Sequence, residues 1–372
     1  MPLGKNMNQN RKIILSLLVG IICSGAALYF SFRNVPLAQL LDYVITINPW
    51  FIIASLLIGL STLLIRALRW QMILGPVKKI GFWHAYHPLV ISFMINCILP
   101  GRLGELARPA ILFKRDKVEF SKVLATVALE RIFDFLTLLL IFIVIMGALN
   151  VNSSLSLAFN GYQINKETLY AIRTKTIYVS IILMGLIIML ILPTTRNALG
   201  RFISWLPSVL IFTPEHFRSQ LSKRLSIKTH AILDNIALGF EVLKSPSKIL
   251  ACLLLSFGVW LVTFISFYAI VLGSNGVDIT FLQGSAVVIF ICFFIMLPSV
   301  PGYWGIWEVG GIYGLMLFGV PKVEAAGLTL TYHFMQIIPL ILVGLVSAWV
   351  TGVNIVQTGY HLEEASAEKA AE

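Results

Sequence analysis

Long apolar segments are the feature that most limits how this chain can fold. A membrane-spanning helix needs about 20 consecutive apolar residues. Six segments reach or approach that length: 12–31, 49–66, 122–149, 175–192, 248–272 and 327–351. Hydrophobic residues make up 58% of the chain and charged residues only 12%, with a mean hydropathy of +0.88. These values lie far from those of soluble globular domains, so the sequence predicts an integral membrane protein.

Two further apolar runs are interrupted by proline and glycine. One comprises 83–99 with 103–113, and the other comprises 281–297 with 303–318. We interpret each run as a re-entrant helical hairpin, which enters and leaves the membrane on the same side. The residues assigned to the two breaks are Pro100, Gly101, Gly104, Pro301, Gly302 and Gly305. Eight full crossings remain the alternative.

The distribution of basic residues favours the hairpin topology. With two hairpins, both termini and residues 66–87, 101–122 and 193–248 face the cytoplasm, and these segments hold 22 of the 28 Lys and Arg residues. Cytoplasmic loops of membrane proteins are enriched in Lys and Arg. The formal net charge of +11 therefore indicates orientation in a cell (inner) membrane rather than binding of nucleic acid.

The predicted fold is an all-α polytopic membrane protein with about six transmembrane helices and two opposed re-entrant hairpins in an inverted-repeat arrangement. Residues 1–372 form a single membrane domain, with one half at 1–150 and the other at 175–352. Residues 193–248 mix apolar and basic residues, as in amphipathic helices on the inner leaflet or against the end of the bundle, and 353–372 form a polar tail. Interrupted segments in corresponding positions of two inverted halves are typical of a transporter's binding site.

The first break and the third apolar segment each carry three charged residues at helical spacing. They are Arg102, Glu105 and Arg108 in the break, and Glu130, Arg131 and Asp134 in the segment. Charged side chains within a membrane usually face the bundle interior with partners, and the arginine guanidinium matches phosphate geometry. We therefore expect a polar cavity that admits a phosphate group. The alternatives are a cytoplasmic turn with ordinary basic residues and a purely structural ion-pair network.

The second break combines aromatic residues with one carboxylate. Tyr303, Trp304 and Trp307 form an aromatic cluster next to Glu308. Tyrosine and tryptophan are also common at membrane interfaces. Because a carboxylate accompanies them here, we predict that Glu308 is a gate, a proton site or the partner of an arginine across the cavity.

Two further pairs of polar residues lie near the ends of apolar segments. His333 and Gln336 are three residues apart in the last segment, and we expect them to hydrogen-bond between helices or to line the same cavity. Arg66 and Arg69 lie at the end of the second segment. We expect their side chains to extend towards lipid phosphates, as long basic side chains at helix ends commonly do.

Motifs for catalysis are missing from the sequence. It contains no HExxH, GxSxG, Walker or GxGxxG pattern. The four cysteines lie within apolar segments and lack the spacing of a disulfide framework or a zinc site. We therefore predict no enzymatic activity, no metal and no cofactor.

Four pieces of the sequence together resemble the membrane region of the lysylphosphatidylglycerol synthase/flippase family. They are RALRW at 66–70, LPGRLGELARPAIL at 99–112, ERIFD at 130–134 and PSVPGYWGIWEVG at 298–310, in the family's order. The resemblance implies a flippase-like bundle that moves an anionic, aminoacylated or polyprenyl-linked phospholipid between leaflets. Its polar lining would comprise Arg102, Glu105, Arg108, Glu130, Arg131, Asp134 and Glu308. The sequence leaves no room for the soluble aminoacyl-transferase domain of the two-function members, so aminoacylation of lipid is not expected.

Two functions other than transport remain open. The chain could be a membrane scaffold for a glycosyltransferase or a lipid-modifying enzyme. It could also be an enzyme that acts on a lipid phosphate, with Glu105 or Glu130 as the base. A membrane phospholipid or polyprenyl-phosphate lipid is the expected ligand in the transport reading, and a lipid-modifying enzyme is a possible partner.

Overall fold

A computed structural model of the protein describes residues 20–99, 103–148, 240–297 and 299–354, together with scattered residues between 157 and 205. The helices within these ranges are α1 (Gly20–Phe32), α2 (Leu37–Thr46), α3 (Pro49–Leu74), α4 (Phe82–Ile98), α5 (Gly104–Asp116), α6 (Phe120–Ala148), α7 (Pro246–Leu272), α8 (Phe281–Phe294), α9 (Ile306–Met316) and α10 (Lys322–Thr351). Short 3-10 turns cover Glu241–Lys244 and Pro301–Tyr303.

Four of these helices, α3, α6, α7 and α10, are long and apolar enough to cross a membrane. Three shorter apolar helices, α1, α2 and α8, accompany them. The described part of the chain also contains a two-stranded antiparallel β-hairpin, formed by β1 (Leu157–Phe159) and β2 (Tyr162–Ile164). The predicted helical membrane fold is thus confirmed for the described residues, with this hairpin as a small exception.

Local sequence signals set the starts of several helices. The Asn48 side chain accepts a 3.0 Å hydrogen bond from the Trp50 N–H at the start of α3, and Pro49 occupies the first helical position. A proline there loses no helical hydrogen bond, because the first N–H groups of a helix have no partner within it. Thr280 and Gln283 form a reciprocal capping box at the start of α8.

The two interrupted runs pack in the interior of the bundle. α4 lies against α3, α5 and α10, while α8 lies against α6, α7 and α9. α3 and α7 pack along each other, and the Ser266 hydroxyl donates a 2.7 Å hydrogen bond to the Ser55 carbonyl between them. The largest apolar cluster includes Phe267, Val287 and Ile312, which come from α7, α8 and α9.

The structure confirms both predicted interruptions, which separate α4 from α5 and α8 from α9. It differs from the prediction at the second span, where α3 continues to Leu74 instead of ending at residue 66. It also adds α2, which was not predicted. The predicted span at 12–31 is described only from Gly20 onwards, and most of 175–192, of 193–248 and of 353–372 lies outside the described residues.

Candidate functional site

A buried cluster of arginines and carboxylates joins four helices. Arg69 on α3 donates to Asp134 Oδ1 on α6 at 2.5 Å, to Ser256 Oγ on α7 at 2.7 Å and to Glu130 Oε1 at 3.3 Å. Arg108 on α5 donates to Glu130 Oε2 at 2.6 Å. Arg69, Arg108 and Glu130 are fully buried. Charges removed from water in this way are tolerated only when paired and hydrogen-bonded, so the cluster fixes these helices relative to one another.

Three more charged residues lie at the edge of this cluster and remain partly accessible. Arg66 contacts Asp134 Oδ2 at 3.2 Å, and its side chain is 15% exposed. Arg131 contacts Glu130 Oε1 at 2.7 Å and is 32% exposed. Glu105 lies 3.9 Å from Arg131 Nε. The edge therefore offers guanidinium groups that a ligand can reach, held in place by buried carboxylates.

The cluster carries a surplus of positive charge. With all groups ionised, four guanidinium groups face three carboxylates, which leaves one net positive charge. Within the described residues, Arg108 Nη2 is buried without a hydrogen-bond partner. The Phe93 ring lies 5.2–5.7 Å from the guanidinium carbons of Arg66, Arg108 and Arg131, within cation–π distance. An anion is the ligand that this charge distribution favours.

A second buried group lies at the break between α8 and α9. Glu308 contacts His333 Nδ1 through Oε1 at 2.6 Å and accepts the Gly305 N–H through Oε2 at 2.7 Å. His333 Nε2 lies 2.9 Å from the Gly302 carbonyl oxygen. The Trp307 ring is stacked on the imidazole, with centroids 4.5 Å apart and planes 4° apart.

A cavity of about 300 Å³ separates the two groups. Arg66, Arg131 and Asp134 line it from the arginine cluster, and Tyr303 and Trp307 line it from the second break. Its other lining residues are mostly apolar and include Leu56, Leu60, Val288, Ile291, Ile295 and Leu340. The cavity thus combines a polar end that carries guanidinium groups with apolar walls.

Comparison with known proteins places the chain in a family. The sequence model described as "Lysylphosphatidylglycerol synthase TM region" matches residues 13–344. The chain belongs to this family. It is also similar to the UPF0104 membrane protein PH1989 of Pyrococcus horikoshii, at 26% identity over 75% of this chain and 81% of that protein. The UPF0104 membrane protein MJ1078 of Methanocaldococcus jannaschii is 26% identical over 71% of this chain and 96% of that protein.

These matches identify a multi-pass membrane protein of the lysylphosphatidylglycerol synthase membrane-region family. No solved structure matches the chain with significance. The family match spans α1 to most of α10, and so it includes both interrupted runs and both polar groups.

The structure brings most of the predicted site residues of this family member together. Glu105, Arg108, Glu130, Arg131 and Asp134 meet in the arginine cluster. The predicted pairing of Arg131 with Asp134 is present at 3.4 Å. Arg102, Pro100 and Gly101 lie outside the described residues. The functional roles of all these residues stay predictions.

At the second break, the predicted residues divide between the cavity and the interior. Tyr303 and Trp307 line the cavity, whereas Glu308 is buried next to it. Trp304 packs against the His333 ring at 4.5 Å between centroids. Gly302 and Gly305 have φ values of 71° and 89°, a region that residues with a Cβ rarely adopt, and Pro301 begins the 3-10 turn.

The glycine of the first break serves close packing. Gly104 begins α5, and its N–H donates a 2.8 Å hydrogen bond to the Asn96 side chain on α4. A Cβ at this position would overlap the Ser92 carbonyl oxygen. Glycine is therefore required for the close approach of α5 to α4.

The expectation for Arg66 and Arg69 was wrong. Arg69 is fully buried and does not extend to lipid phosphates, because α3 continues beyond it and turns its side chain towards Asp134 and Ser256. Arg66 also turns inward, to Asp134. The feature of the sequence that could have predicted this shared orientation is their three-residue spacing, which places both side chains on one helix face.

The expected interhelical hydrogen bond of His333 is confirmed, with Glu308 as its partner, and Gln336 lines the cavity. Sequence reasoning missed Ser92 and Ser256, which accept hydrogen bonds from Arg108 and Arg69. Within the described residues, no three or more His, Cys, Asp or Glu side chains form a group that could hold a metal ion.

Proposed function

We propose that this protein moves a phospholipid with a phosphate-bearing headgroup between membrane leaflets through the cavity. The observation that carries the proposal is the cavity itself. Arg66 and Arg131 form its positively charged end, and most of its other lining residues are apolar. Passage of a charged phosphate through hydrocarbon without such a site is prohibitive, because isolated charges strongly disfavour an apolar medium. The candidate lipids are anionic, aminoacylated or polyprenyl-linked phospholipids.

The edge of the arginine cluster supports phosphate binding. Arg66 and Arg131 are partly exposed while their carboxylate partners hold their positions. A phosphate oxygen can accept hydrogen bonds from such guanidinium groups, and the surplus positive charge of the cluster offsets the charge of the ligand. A headgroup bound there would leave the acyl chains beside apolar helices such as α3, whose Leu57 is 60% exposed.

The arrangement of helix neighbours supports a division of the chain into two halves with the same order of helices, which we propose to be inverted, with opposed hairpins. α3 contacts α4, α4 contacts α5 and α5 contacts α6, and the same sequence of contacts links α7, α8, α9 and α10. α3 and α7, the first helices of the two series, pack against each other. Such repeats in transporters place the substrate at the interface of the halves, near broken helices. The charge distribution supports cytoplasmic termini in a cell (inner) membrane.

The first test is leaflet exchange of labelled lipid in proteoliposomes. Labelled phosphatidylglycerol, lysylphosphatidylglycerol and a polyprenyl-phosphate lipid are compared, for the native protein and for Arg66→Gln. Because hydrogen bonds to charged groups contribute about 1.5–3 kcal/mol, we expect exchange of one lipid class to fall by about tenfold or more. Arg115→Gln is the matched control, since Arg115 pairs with the neighbouring Asp116 outside the cavity.

Three results decide among the functions. The flippase is supported if the native protein exchanges one class of lipid and, with both variants folded, Arg66→Gln loses this exchange while Arg115→Gln keeps it. Failure of the native protein to exchange any of the lipids, with the lipids recovered chemically unchanged, would contradict the proposal and favour a scaffold. Recovery of a chemically altered lipid would identify an enzyme.

A further inference from the structure

We propose that Glu308 and His333 form a proton-binding site whose occupancy controls the backbone of the second break and thereby the cavity. The link to lipid movement rests on the proposed function, whereas the proton site does not. The pair is fully buried, spans α9 and α10, and directly adjoins the cavity through Trp307.

The hydrogen bonds of the pair fix how many protons it holds. The Gly302 carbonyl cannot donate, so its 2.9 Å contact requires a proton on His333 Nε2. The 2.6 Å contact between His333 Nδ1 and Glu308 Oε1 requires one proton between these atoms. Whether that proton resides on nitrogen or on oxygen, the pair has no net charge, which is compatible with its burial.

A second proton cannot join the pair without altering the break. Nδ1 and Oε1 already share one proton, so the added proton must go to Glu308 Oε2. That oxygen accepts the Gly305 N–H at 2.7 Å, at the start of α9. Protonated Oε2 becomes a donor and a poorer acceptor, and the pair gains one positive charge. The N–H at the start of α9 thereby loses the acceptor that it has in the singly protonated pair.

The backbone next to this contact is held in unusual conformations. Gly302, Tyr303 and Gly305 have φ values of 71°, 62° and 89°. For Tyr303, which has a Cβ, this conformation is strained. Strain of this kind persists only while surrounding contacts enforce it, and Glu308 provides one such contact. Release of the Gly305 N–H therefore favours movement of the break, and with it movement of the cavity residues Tyr303 and Trp307.

Other titratable groups approach the pair from the neighbouring elements. Those on the walls of the adjoining cavity are Arg66, Arg131, Asp134, Cys292, Tyr303 and Tyr332. The two arginines are held by Asp134 and Glu130. α1, which packs beside Gly305, contains no Asp, Glu, Lys, Arg or His.

The test uses the full chain in lipid nanodiscs and requires no transport. Tryptophan fluorescence is recorded from about pH 4 to about pH 9, which brackets the ordinary titration of carboxyl and imidazole groups. Protonation next to the stacked Trp307 is expected to change its emission, and Trp307→Phe identifies that contribution. We compare native protein with Glu308→Gln and His333→Gln, and with Glu324→Gln as a matched control on α10.

Glu308→Gln is the informative variant because it preserves the contacts that the pair makes before the second proton binds. Its amide oxygen can accept the Gly305 N–H, and its amide N–H can donate to His333 Nδ1. It cannot take the second proton on a carboxylate. We expect a pH transition in native protein and in Glu324→Gln that is missing from Glu308→Gln and His333→Gln. The absence of a transition in native protein, or its persistence in Glu308→Gln, would overturn the proton site.

Lipid exchange at the same pH values then tests the coupling. We expect the native exchange rate to change across the fluorescence transition and the exchange rate of Glu308→Gln to be independent of pH over the same range. Exchange that is independent of pH in native protein would overturn the coupling. A fluorescence transition without exchange of any lipid would refute the proposed function and the coupling together, and would leave the proton site established.

Discussion

Glu130 is the residue whose neutralisation should destabilise the arginine cluster most. Its two oxygens accept hydrogen bonds from Arg69 at 3.3 Å, from Arg108 at 2.6 Å and from Arg131 at 2.7 Å. Among the contacts described, Glu130 is the only carboxylate within 4 Å of Arg108. Glu130→Gln therefore leaves the fully buried Arg108 guanidinium without a counter-ion, while the shape of the site is nearly unchanged.

The expected loss follows from this burial. Breaking a buried ion pair by removing one partner costs about 3–5 kcal/mol, because an uncompensated charge stays in the interior. Glu105→Gln is the matched control, since Glu105 is 31% exposed and lies 3.9 Å from Arg131. Pairs of that kind contribute about 0–1 kcal/mol. The free energy of unfolding should thus fall several-fold more for Glu130→Gln than for Glu105→Gln.

A double variant tests whether the loss of stability in Glu130→Gln comes from the uncompensated charge of Arg108. In Glu130→Gln combined with Arg108→Gln, both charges of the pair are removed, so Arg108 no longer leaves an uncompensated charge in the interior. We expect the double variant to recover most of the loss. The assay is equilibrium unfolding in mixed micelles with increasing SDS, followed by tryptophan fluorescence. Equal stabilities of Glu130→Gln and Glu105→Gln, or a double variant no more stable than Glu130→Gln, would refute the reasoning.

Two further predictions concern packing and access. Gly104→Ala should lower the free energy of unfolding by about 1–3 kcal/mol, because the added Cβ overlaps the Ser92 carbonyl oxygen. Thermal unfolding measures this change. An unchanged transition temperature would contradict the packing described. Cys292 lines the cavity, whereas Cys252 is fully buried elsewhere. A bound lipid should therefore slow maleimide labelling of Cys292, measured in a variant with the other cysteines replaced by alanine. Equal labelling rates with and without lipid would place the ligand outside the cavity.

Local patterns in the sequence predicted the membrane helices and the contacts within one helix or break. Runs of apolar residues identified α3, α6, α7 and α10, and the proline and glycine interruptions identified the gaps between α4 and α5 and between α8 and α9. Helical spacing predicted that Arg131 would pair with Asp134. These features depend on neighbours a few residues apart, whose geometry the helix itself fixes.

The partners of Arg69 and Glu308 could not be predicted in the same way. Arg69 bonds to Asp134 and Ser256, which are 65 and 187 residues away. Glu308 bonds to His333, which is 25 residues away on the next helix. Spacing along the chain indicates which residues share a helix face, but it does not indicate which other helix that face meets.

The residues alone identify a helical membrane protein of a known family, with two interrupted apolar runs and charged residues that must be paired inside it. The packing of the helices is needed to see that Arg66 and Arg69 turn inward, that Glu308 pairs with His333, and that a cavity lies between the two groups. The physical reason is that lipid is as apolar as the protein interior. Apolar residues surround most of these helices, so the hydrophobic pattern does not show which face packs inward, and that choice is made by the contacts between helices.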